Sequence, residues 1–481
     1  MGTPSGVIVK WRSDEPTESI VFYGTHPDDL LLVSGNLEQT TEHAVQVSGL
    51  DANTQYFYSI GSLFERLAGG DEAHSFVTHP RAGKPKPTRI WAIGDCGTAA
   101  VGYPGSAMVR DAYYRFAKTN RTDVWLMLGD NAYYSGTDYE YQAAVFDTFG
   151  AMLRNTILWS TIGNHETYGA DDEGRIAYHD IFSLPSNAQA GGIASGTENY
   201  YSFDYANIHF VCLDSELSSR STNGPMWTWL QQDLSANTND WLIAFWHSPP
   251  FTKGSHDSDN LNDNFGNMTL MRANFVSLLE SYGVDLVLCG HSHCYERSYL
   301  INGHYGFSAS LTDSMIKDAG SGRPSETGAY RKLLGPAPNQ GAVYVVAGSS
   351  GWATFLQPQP HPAMYITLLQ MGSMVIDINS NRLDARFLRE TGSIDDHFTI
   401  IKGGATEPLR ITVFQFADGY TVVRWKSIAG RSYQIEQASN LEDPHCTADS
   451  DPILASGTTT SWTNVVEAPD KAFYRVVQVG R

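Results

Sequence analysis

The sequence predicts an α/β domain with an all-β domain on each side of it. The 481 residues are too many for one ordinary hydrophobic core, so two or three domains are expected. In the middle of the chain, apolar strands alternate with helical patterns, which is typical of βαβ units. Toward both ends, the chain contains only short strand patterns separated by turn residues, which is typical of β-sandwiches.

Residues 1–80 form the first predicted all-β domain. Apolar residues occupy every second position from Val7 to Trp11, as expected of a strand with one buried face. Further short strands are predicted at 19–24, 43–50 and 56–61. The run GLDANTQYFYSIG resembles the fibronectin type III pattern, with Tyr56 at the position of its tyrosine corner. Residues 81–88, rich in proline and basic residues, are interpreted as an extended linker.

Residues 89–402 form the predicted α/β domain. Residues 107–120 have helical periodicity, and the predicted strands around them consist almost only of apolar residues. Such strands are typical of a parallel sheet that is covered on both faces, so we expect a largely parallel sheet. The predicted strands are 89–95, 123–130, 157–164, 208–214, 241–247, 284–291 and 342–349.

Residues 408–481 form the second predicted all-β domain, a small sandwich. Strand patterns alternate there with glycine, proline and aspartate turns, and no cluster of histidine or acidic residues occurs. A stabilising or spacing role and a binding role are both compatible with this pattern.

Charge and composition argue against several classes of function. The formal net charge of −20 repels phosphate backbones and anionic lipids, so no nucleic acid partner is expected. No stretch approaches the roughly 18 apolar residues of a membrane span. Five cysteines at irregular spacings predict small buried thiols rather than a disulfide framework. No signal peptide opens the chain, but a removed leader would leave the same sequence, and we expect a secreted or periplasmic protein.

Five short polar motifs directly follow predicted strands. Singly, a Gly-Asp pair or a histidine at a strand end is ordinarily a turn or a structural residue. Together, the motifs place many polar side chains at the carboxyl ends of strands of one sheet, where functional groups of α/β domains collect. That much polarity is costly to bury without a partner. The sequence therefore predicts a metal site built from Asp95, Asp130, Tyr133, Asn164, His247, His291 and His293.

The motifs resemble the purple acid phosphatase branch of the calcineurin-like metallophosphoesterases. The resemblance rests on the order GDxG, GDxxY, GNHE, a strand-end histidine and GHxHxYER, the last at 290–297. Gly97 stands where the phosphodiesterase branch usually has a histidine ligand, and Tyr133 follows Asp130 by three residues, as in the phosphatase branch. The likeness covers residues 1–402. It implies the metallophosphoesterase fold, a mixed β-sandwich flanked by helices.

The resemblance also implies two metal ions. It assigns one ion to Asp95, Asp130, Tyr133 and His293, and the other to Asp130, Asn164, His247 and His291. The first set is hard and anionic and fits Fe(III) best, because a phenol ionises at neutral pH only beside a strong Lewis acid. The second set suits a divalent ion such as Zn, Mn or Fe(II).

The expected reaction is hydrolysis of small phosphate monoesters, with a metal-bound hydroxide as the nucleophile. The resemblance gives His165 a role in binding the substrate phosphate. It gives His256 a role in contacting phosphate or protonating the leaving group, with a solvated loop histidine as the alternative. Asp257 stands where the family often has a second histidine, so the usual acid optimum does not follow.

Five other polar residues lie in or after the motifs and are not assigned to a metal ion. Glu166 is expected to hydrogen-bond behind the ligands. Tyr295, Glu296 and Arg297 either form a structural ion pair or line the cleft. His361 lies in a late loop that could reach the cleft.

Two other functions remain compatible with the sequence. A phosphodiesterase or nucleotidase would use the same two ions. An extracellular binding protein with a vestigial site would be expected to lack some ligands, whereas all seven are present.

Overall fold

The structure is a computed structural model that describes residues 1–403, 411–417, 420–427, 432–438, 447–465 and 473–480. Contacts divide the chain into two compact units, Met1–Lys402 and Gly403–Arg481. The predicted domain limit at residue 80 lies inside the first unit. The predicted start of the last domain at residue 408 lies outside the described residues. The predicted domain limits therefore stay predictions.

The N-terminal part of the first unit is all-β, as predicted. Residues 7–12 and 19–24 were expected to be separate strands, but they belong to one long strand that pairs with a second long strand. The expected break is instead a shift in pairing register between Arg12 and Ser19, and such an irregularity lets a strand continue through turn-forming residues. Six strands form one hydrogen-bonded sheet: Gly2–Thr3, Gly6–Gly24, Leu32–Ser48, Gln55–Gly61, Arg66–Gly69 and Ser75–Val77.

The Tyr56 hydroxyl accepts a hydrogen bond from the backbone N–H of Asp51 at 3.0 Å. This is the contact that a tyrosine corner makes with the backbone a few residues upstream. The fibronectin type III assignment itself stays a prediction.

The rest of the first unit is a mixed β-sandwich flanked by helices, as the resemblance implied. One sheet contains, in spatial order, Tyr201–Tyr205, Ile208–Cys212, Trp241–Trp246, Leu286–Cys289, Val343–Ala347, Tyr295–Ser298 and Met364–Leu368. The other contains Tyr330–Lys332, Ile394–Lys402, Arg382–Arg389, Gly372–Asn379, Thr88–Ile93, Val124–Met127 and Leu158–Ser160. Leu300–Ile301 pairs separately with Ile316–Asp318.

The expectation of one largely parallel sheet is therefore wrong. Strands that are apolar throughout show no alternation between faces, so their sequence does not reveal which sheet they join. The two sheets pack against each other, and Trp159 of one stacks on Phe203 of the other with ring centroids 3.8 Å apart.

Helices cover the outer faces of both sheets. The helix Gly105–Ala117 packs on the sheet that contains Trp91, whose ring stacks on that of Tyr113. The helix Pro225–Ala236 packs on the other sheet through residues such as Leu230. The remaining α-helices are Asp138–Tyr141, Thr148–Leu153, Asn164–Tyr168, Ala177–Ile181, Asn267–Met271 and Ser277–Ser281. Among the described residues there are also two π-helical segments, Gln142–Asp147 and Arg272–Val276, and four 3-10 segments, Gly97–Val101, Asp263–Gly266, Ser308–Ser310 and Asp313–Met315.

A buried histidine ties one sheet to its covering helix. His209 contacts Asp204 through Nδ1 and Asp233 through Nε2, each at 2.8 Å. Burial lowers the pKa of His209, but the hydrogen bonds to these two carboxylates outweigh it and raise the pKa to about 9.

The described part of the second unit is also all-β, as predicted. Three strands form one sheet: Ile411–Ala417, Tyr420–Lys426 and Thr459–Val465. Four others form a second sheet: Thr447–Ala448, Ser432–Ala438, Ile453–Leu454 and Phe473–Gly480. Trp425 and Ile435 are buried in the core of this unit.

The expectations for cysteines and membrane spans can be compared with the described residues. Cys96, Cys212, Cys289 and Cys294 are buried and form no disulfide, as predicted, while Cys446 lies outside the described residues. Within the described part of the chain, no helix is long and apolar enough to span a bilayer.

Candidate metal centre

The polar motifs follow parallel strands of both sheets. Asp95, Asp130 and Asn164 follow strands of one sheet, while His247 and His291 follow strands of the other. The expectation that all motifs end strands of one sheet is therefore wrong. Because the two sheets pack face to face, the motifs still meet at one edge of the sandwich.

The backbone at this edge is held in unusual conformations. Asp95, Asp130 and His291 have φ angles of 56°, 52° and 67°, in the left-handed region that residues other than glycine rarely adopt. A Cβ on Gly129 would lie 2.5 Å from Nδ1 of His247, so only glycine fits there. Strain of this kind collects at functional sites, where the surrounding structure maintains it.

Three of the predicted ligands surround the hydroxyl of a fourth, Tyr133. This oxygen lies 3.2 Å from Oδ1 of Asp95, 3.0 Å from Oδ2 of Asp130 and 3.3 Å from Nε2 of His293. Burial raises the pKa of Tyr133 well above its usual value of 10, and the charges of Asp130 and Asp95 raise it further. The phenol therefore keeps its proton unless a strong Lewis acid binds beside it.

The other predicted ligands surround the amide oxygen of Asn164. Oδ1 of Asn164 lies 3.0 Å from Nε2 of His247 and 2.9 Å from Nδ1 of His291. Nε2 of His247 is also 3.4 Å from Oδ1 of Asp130. Asp130 thus contacts both groups, and the seven side chains form two sets that share one carboxylate. The resemblance implies the same grouping.

The two sets fit metal ions. Asp95 and Asp130 are buried, and in the described part of the chain no lysine or arginine side chain hydrogen-bonds to or pairs with any of the seven residues. Nε2 of His291 is buried, with no hydrogen-bond partner among the described residues. Buried carboxylates and a buried imidazole are costly without a partner. Ligand atoms of Asp95, Asp130 and His247 all lie within 4.8 Å of one another, which suits a shared cation.

Hydrogen bonds orient two of these side chains. Nδ1 of His247 lies 2.8 Å from the carbonyl oxygen of Leu128, which can only accept, so Nδ1 carries a proton and Nε2 is the nitrogen that could bind a metal ion. The backbone N–H of His291 donates to Oδ2 of Asp95 at 2.8 Å. With Oδ2 held in this way, Oδ1 of Asp95 faces Tyr133 and His293.

Glu166 joins two of the motif loops. Its Oε1 accepts hydrogen bonds from the backbone N–H groups of Asn131 and Ala132, at 2.7 and 3.3 Å. Its Oε2 accepts from those of Asp130 and Gly163, at 3.0 and 2.6 Å. Glu166 is buried and fixes the backbone on both sides of the predicted ligands, as expected from the sequence.

His165 and His256 both border the cluster. The ring of His165 lies against that of Tyr133, with centroids 4.5 Å apart, and its Nε2 is 3.9 Å from Oδ2 of Asp130. The ring of His256 stacks on that of His291, with centroids 3.9 Å apart. His256 therefore borders the predicted ligands, and its role stays a prediction.

Several other polar residues named from the sequence have contacts with groups other than the predicted ligands. Asp257 forms an ion pair with Lys253. His361 is buried against Phe251 and does not reach the cleft. Tyr295 and Arg297 both contact the buried Asp396, so the ion-pair alternative is the observed one. The Glu296 side chain is buried and contacts Thr252.

Comparison with known proteins identifies the central part of the chain. Residues 88–295 match the calcineurin-like phosphoesterase family. This match marks the segment 88–295 as similar to that family. It is 28% identical over 307 residues to purple acid phosphatase 15 of Arabidopsis thaliana, covering 58% of this chain and 53% of that protein. It is also 28% identical over 322 residues to a phosphoenolpyruvate phosphatase of Allium cepa, covering 62% of this chain and 60% of that one.

The matched region is only part of these relatives, since this chain spans about half to three-fifths of their length. The purple acid phosphatase PPD1 from yellow lupin (Lupinus luteus) superposes with a TM-score of 0.63 at 16% identity, covering 86% of this chain and 76% of that one. The predicted fold and the predicted resemblance to the purple acid phosphatase branch are both confirmed.

Two residues of the phosphoesterase domain were missed by the sequence analysis. Asp263 contacts His256 through Oδ1, 2.7 Å from Nδ1. Trp352 lies beside His293, with Nε1 3.4 Å from Nε2. Trp352 follows the parallel strand Val343–Ala347, so the same strand-end rule that indicated the ligands could have found it. Nothing in the local sequence singles out Asp263.

Proposed function

We propose that this chain hydrolyses small phosphate monoesters at a two-metal centre formed by Asp95, Asp130, Tyr133, Asn164, His247, His291 and His293. The observation that carries the proposal is the grouping of these side chains into two donor sets that share Asp130. The names of the relatives, a purple acid phosphatase and a phosphoenolpyruvate phosphatase, support the monoester class.

The donor types support one trivalent and one divalent ion. The set around Tyr133 combines two carboxylates, a phenol and an imidazole, which favours Fe(III). The set around Asn164 shares one carboxylate and adds an amide oxygen and two imidazoles, which favours Zn, Mn or Fe(II). Two such ions, when bound, would neutralise phosphoryl charge and acidify a water molecule.

His165 is proposed to bind the phosphoryl group. Its Nδ1 lies 2.6 Å from the carbonyl oxygen of Tyr134, so Nδ1 carries a proton and the ring orientation is fixed. Nε2 then faces the shared carboxylate of Asp130. When protonated, Nε2 can donate to a phosphoryl oxygen held at the centre.

His256 is proposed to protonate the leaving oxygen. Asp263 accepts the Nδ1 proton of His256, which holds the tautomer and stabilises the imidazolium. In the described part of the chain, Nε2 of His256 has no protein hydrogen bond, so its proton is available to the substrate. A protonated Nε2 lets an alcohol with a high pKa leave as a neutral molecule.

Turnover of a matched monoester and diester tests the proposal. We expect iron- and zinc-loaded protein to hydrolyse p-nitrophenyl phosphate faster than bis(p-nitrophenyl) phosphate. Asp130→Asn should lower turnover by about 10³-fold or more, because both donor sets lose their shared charge. Asp377→Asn, which removes a carboxylate paired with Arg89 on a sheet, is the matched control and should retain activity.

The outcomes separate the alternatives. A preference for the diester would favour the phosphodiesterase alternative. No turnover of either ester by the metal-loaded protein, or full activity of Asp130→Asn, would contradict the proposed site.

A further inference from the structure

Three aromatic side chains form a rim beside the proposed metal centre, and we call Trp352, Tyr134 and Tyr103 the aromatic rim. The ring centroid of Trp352 lies 6.4 Å from that of Tyr134 and 6.2 Å from that of Tyr103. Both tyrosines are exposed, by 55% and 44%, and Trp352 is half-buried between them. Single exposed aromatics are common, but three that converge beside a buried polar site indicate a binding surface.

The aromatic rim directly adjoins the residues proposed to hold metal. The ring of Trp352 lies 5.0 Å from that of Tyr133 and 5.5 Å from that of His293, centroid to centroid. A phosphoryl group bound at the centre would therefore bring the first atoms of its alcohol next to Trp352. The three side chains come from different segments, so the fold rather than the local sequence brings them together.

The rim is aromatic rather than basic. In the described part of the chain, no lysine or arginine hydrogen-bonds to the side chains of the rim, and Lys253 is paired with Asp257 and Asp259. A substrate carrying several phosphates would meet no free cation here beyond those at the centre itself. A flat, weakly polar group would instead find ring faces on which to stack.

We propose that the aromatic rim is a subsite for a planar aromatic ring in the alcohol part of the phosphate monoester. This inference rests on the proposed function and narrows its substrate class. The closeness of Trp352 to His293 favours a ring attached to the ester oxygen directly or through one carbon, as in aryl and benzyl phosphates. Ring stacking contributes about 0.5–1.5 kcal/mol beyond burial of area, which corresponds to a roughly 2- to 13-fold preference.

Matched substrate pairs test the proposal. Benzyl phosphate and cyclohexylmethyl phosphate are both esters of primary alcohols of similar size, but only the first is aromatic. We expect kcat/KM to be about 2- to 13-fold higher for benzyl phosphate. The pair AMP and ribose 5-phosphate shares a leaving hydroxyl and differs in the base, so it shows whether a more distant ring also uses the rim.

Variants assign any preference to the rim. Trp352→Ala should bring the benzyl to cyclohexylmethyl ratio close to one, and Trp352→Phe should retain most of it. Tyr134→Ala should lower the same ratio, and it leaves the contact between Trp352 and His293 in place. If Trp352→Ala does not fold, Tyr134→Ala therefore tests the subsite. Tyr139→Ala, which removes a tyrosine that is 82% exposed outside the rim, is the control and should leave the ratio unchanged.

Failure of the subsite and failure of the proposed function give different results. If the wild type hydrolyses benzyl phosphate and cyclohexylmethyl phosphate equally well, the subsite proposal is overturned while the phosphatase function stands. A fall in kcat/KM for both members by the same factor in the Trp352 and Tyr134 variants would also overturn it, because that indicates a structural role. If no monoester is hydrolysed, the proposed function itself fails.

Discussion

Replacing Glu166 with glutamine tests how the phosphoesterase site is supported. Each oxygen of this buried carboxylate accepts two backbone N–H groups. In Glu166→Gln one oxygen becomes an NH₂ group, so two buried amides lose their acceptor. Each unsatisfied buried amide costs about 1–3 kcal/mol, so we expect a loss of about 2–6 kcal/mol in the free energy of unfolding. With metal bound, the negative charge of neighbouring Asp130 is balanced, so removing the charge of Glu166 relieves little repulsion. The lost hydrogen bonds therefore determine that the free energy of unfolding decreases.

Urea unfolding of the metal-loaded protein, followed by tryptophan fluorescence, measures this loss. Metal affinity should fall by about 10- to 100-fold in parallel, because Glu166 fixes the backbone of two predicted ligands. Glu140→Gln is the matched control, since Glu140 also accepts backbone N–H groups, from Ser135 and Thr137, but is only half-buried. Water can replace its lost contacts, so about 1 kcal/mol or less is expected. If Glu166→Gln is no more destabilising than Glu140→Gln, the supporting role is refuted.

Three further predictions concern catalysis, colour and stability. His165→Ala should lower turnover by about 10²–10⁴-fold at unchanged metal content. His256→Ala should slow the hydrolysis of esters whose alcohols have a high pKa most. If it slows all leaving groups equally, only a phosphate-binding role remains for His256. Tyr133→Phe should abolish the visible charge-transfer band of the iron-loaded protein while the fold is kept. An iron-loaded wild type without a band under oxidising conditions would mean that Tyr133 is not a ligand or that its site does not hold Fe(III). The pKa of His209 is raised above its unfolded value near 6.5, so its stabilisation is complete below about pH 6.5 and is lost as pH rises to about 9. The loss is about 3 kcal/mol, and a His209→Gln variant with the same pH dependence of unfolding as the wild type would contradict it.

The predicted ligands could be read from the sequence because each motif is local. Asp130 and Tyr133, for example, are three residues apart and follow one apolar strand, so both type and position are visible in a short window. The grouping into two sets came from the resemblance, because distances between Asn164 and His291 depend on how two sheets pack. Sheet membership itself was invisible, since strands buried on both faces have no polar side.

Residues whose roles depend only on tertiary placement escaped the sequence analysis. Asp263 is one of many surface-type aspartates until the chain folds it against His256. Trp352 resembles a core tryptophan in sequence, and its position at the rim becomes clear only from its contacts with Tyr133 and His293. Turn-forming residues in the middle of Gly6–Gly24 predict two separate strands. The structure has one strand there, because a shift in pairing register accommodates these residues.

Metal content per chain tests the central claim most directly. Protein purified without chelator and supplemented with iron and zinc should contain about two metal ions per chain, at least one of them iron, when measured by elemental analysis. Asp130→Asn should lower the content of both sites together, because both donor sets share that carboxylate. Asp377→Asn should keep the full content. Fewer than about half a metal ion per chain in the supplemented wild type, or an unchanged content in Asp130→Asn, would contradict the two-metal centre.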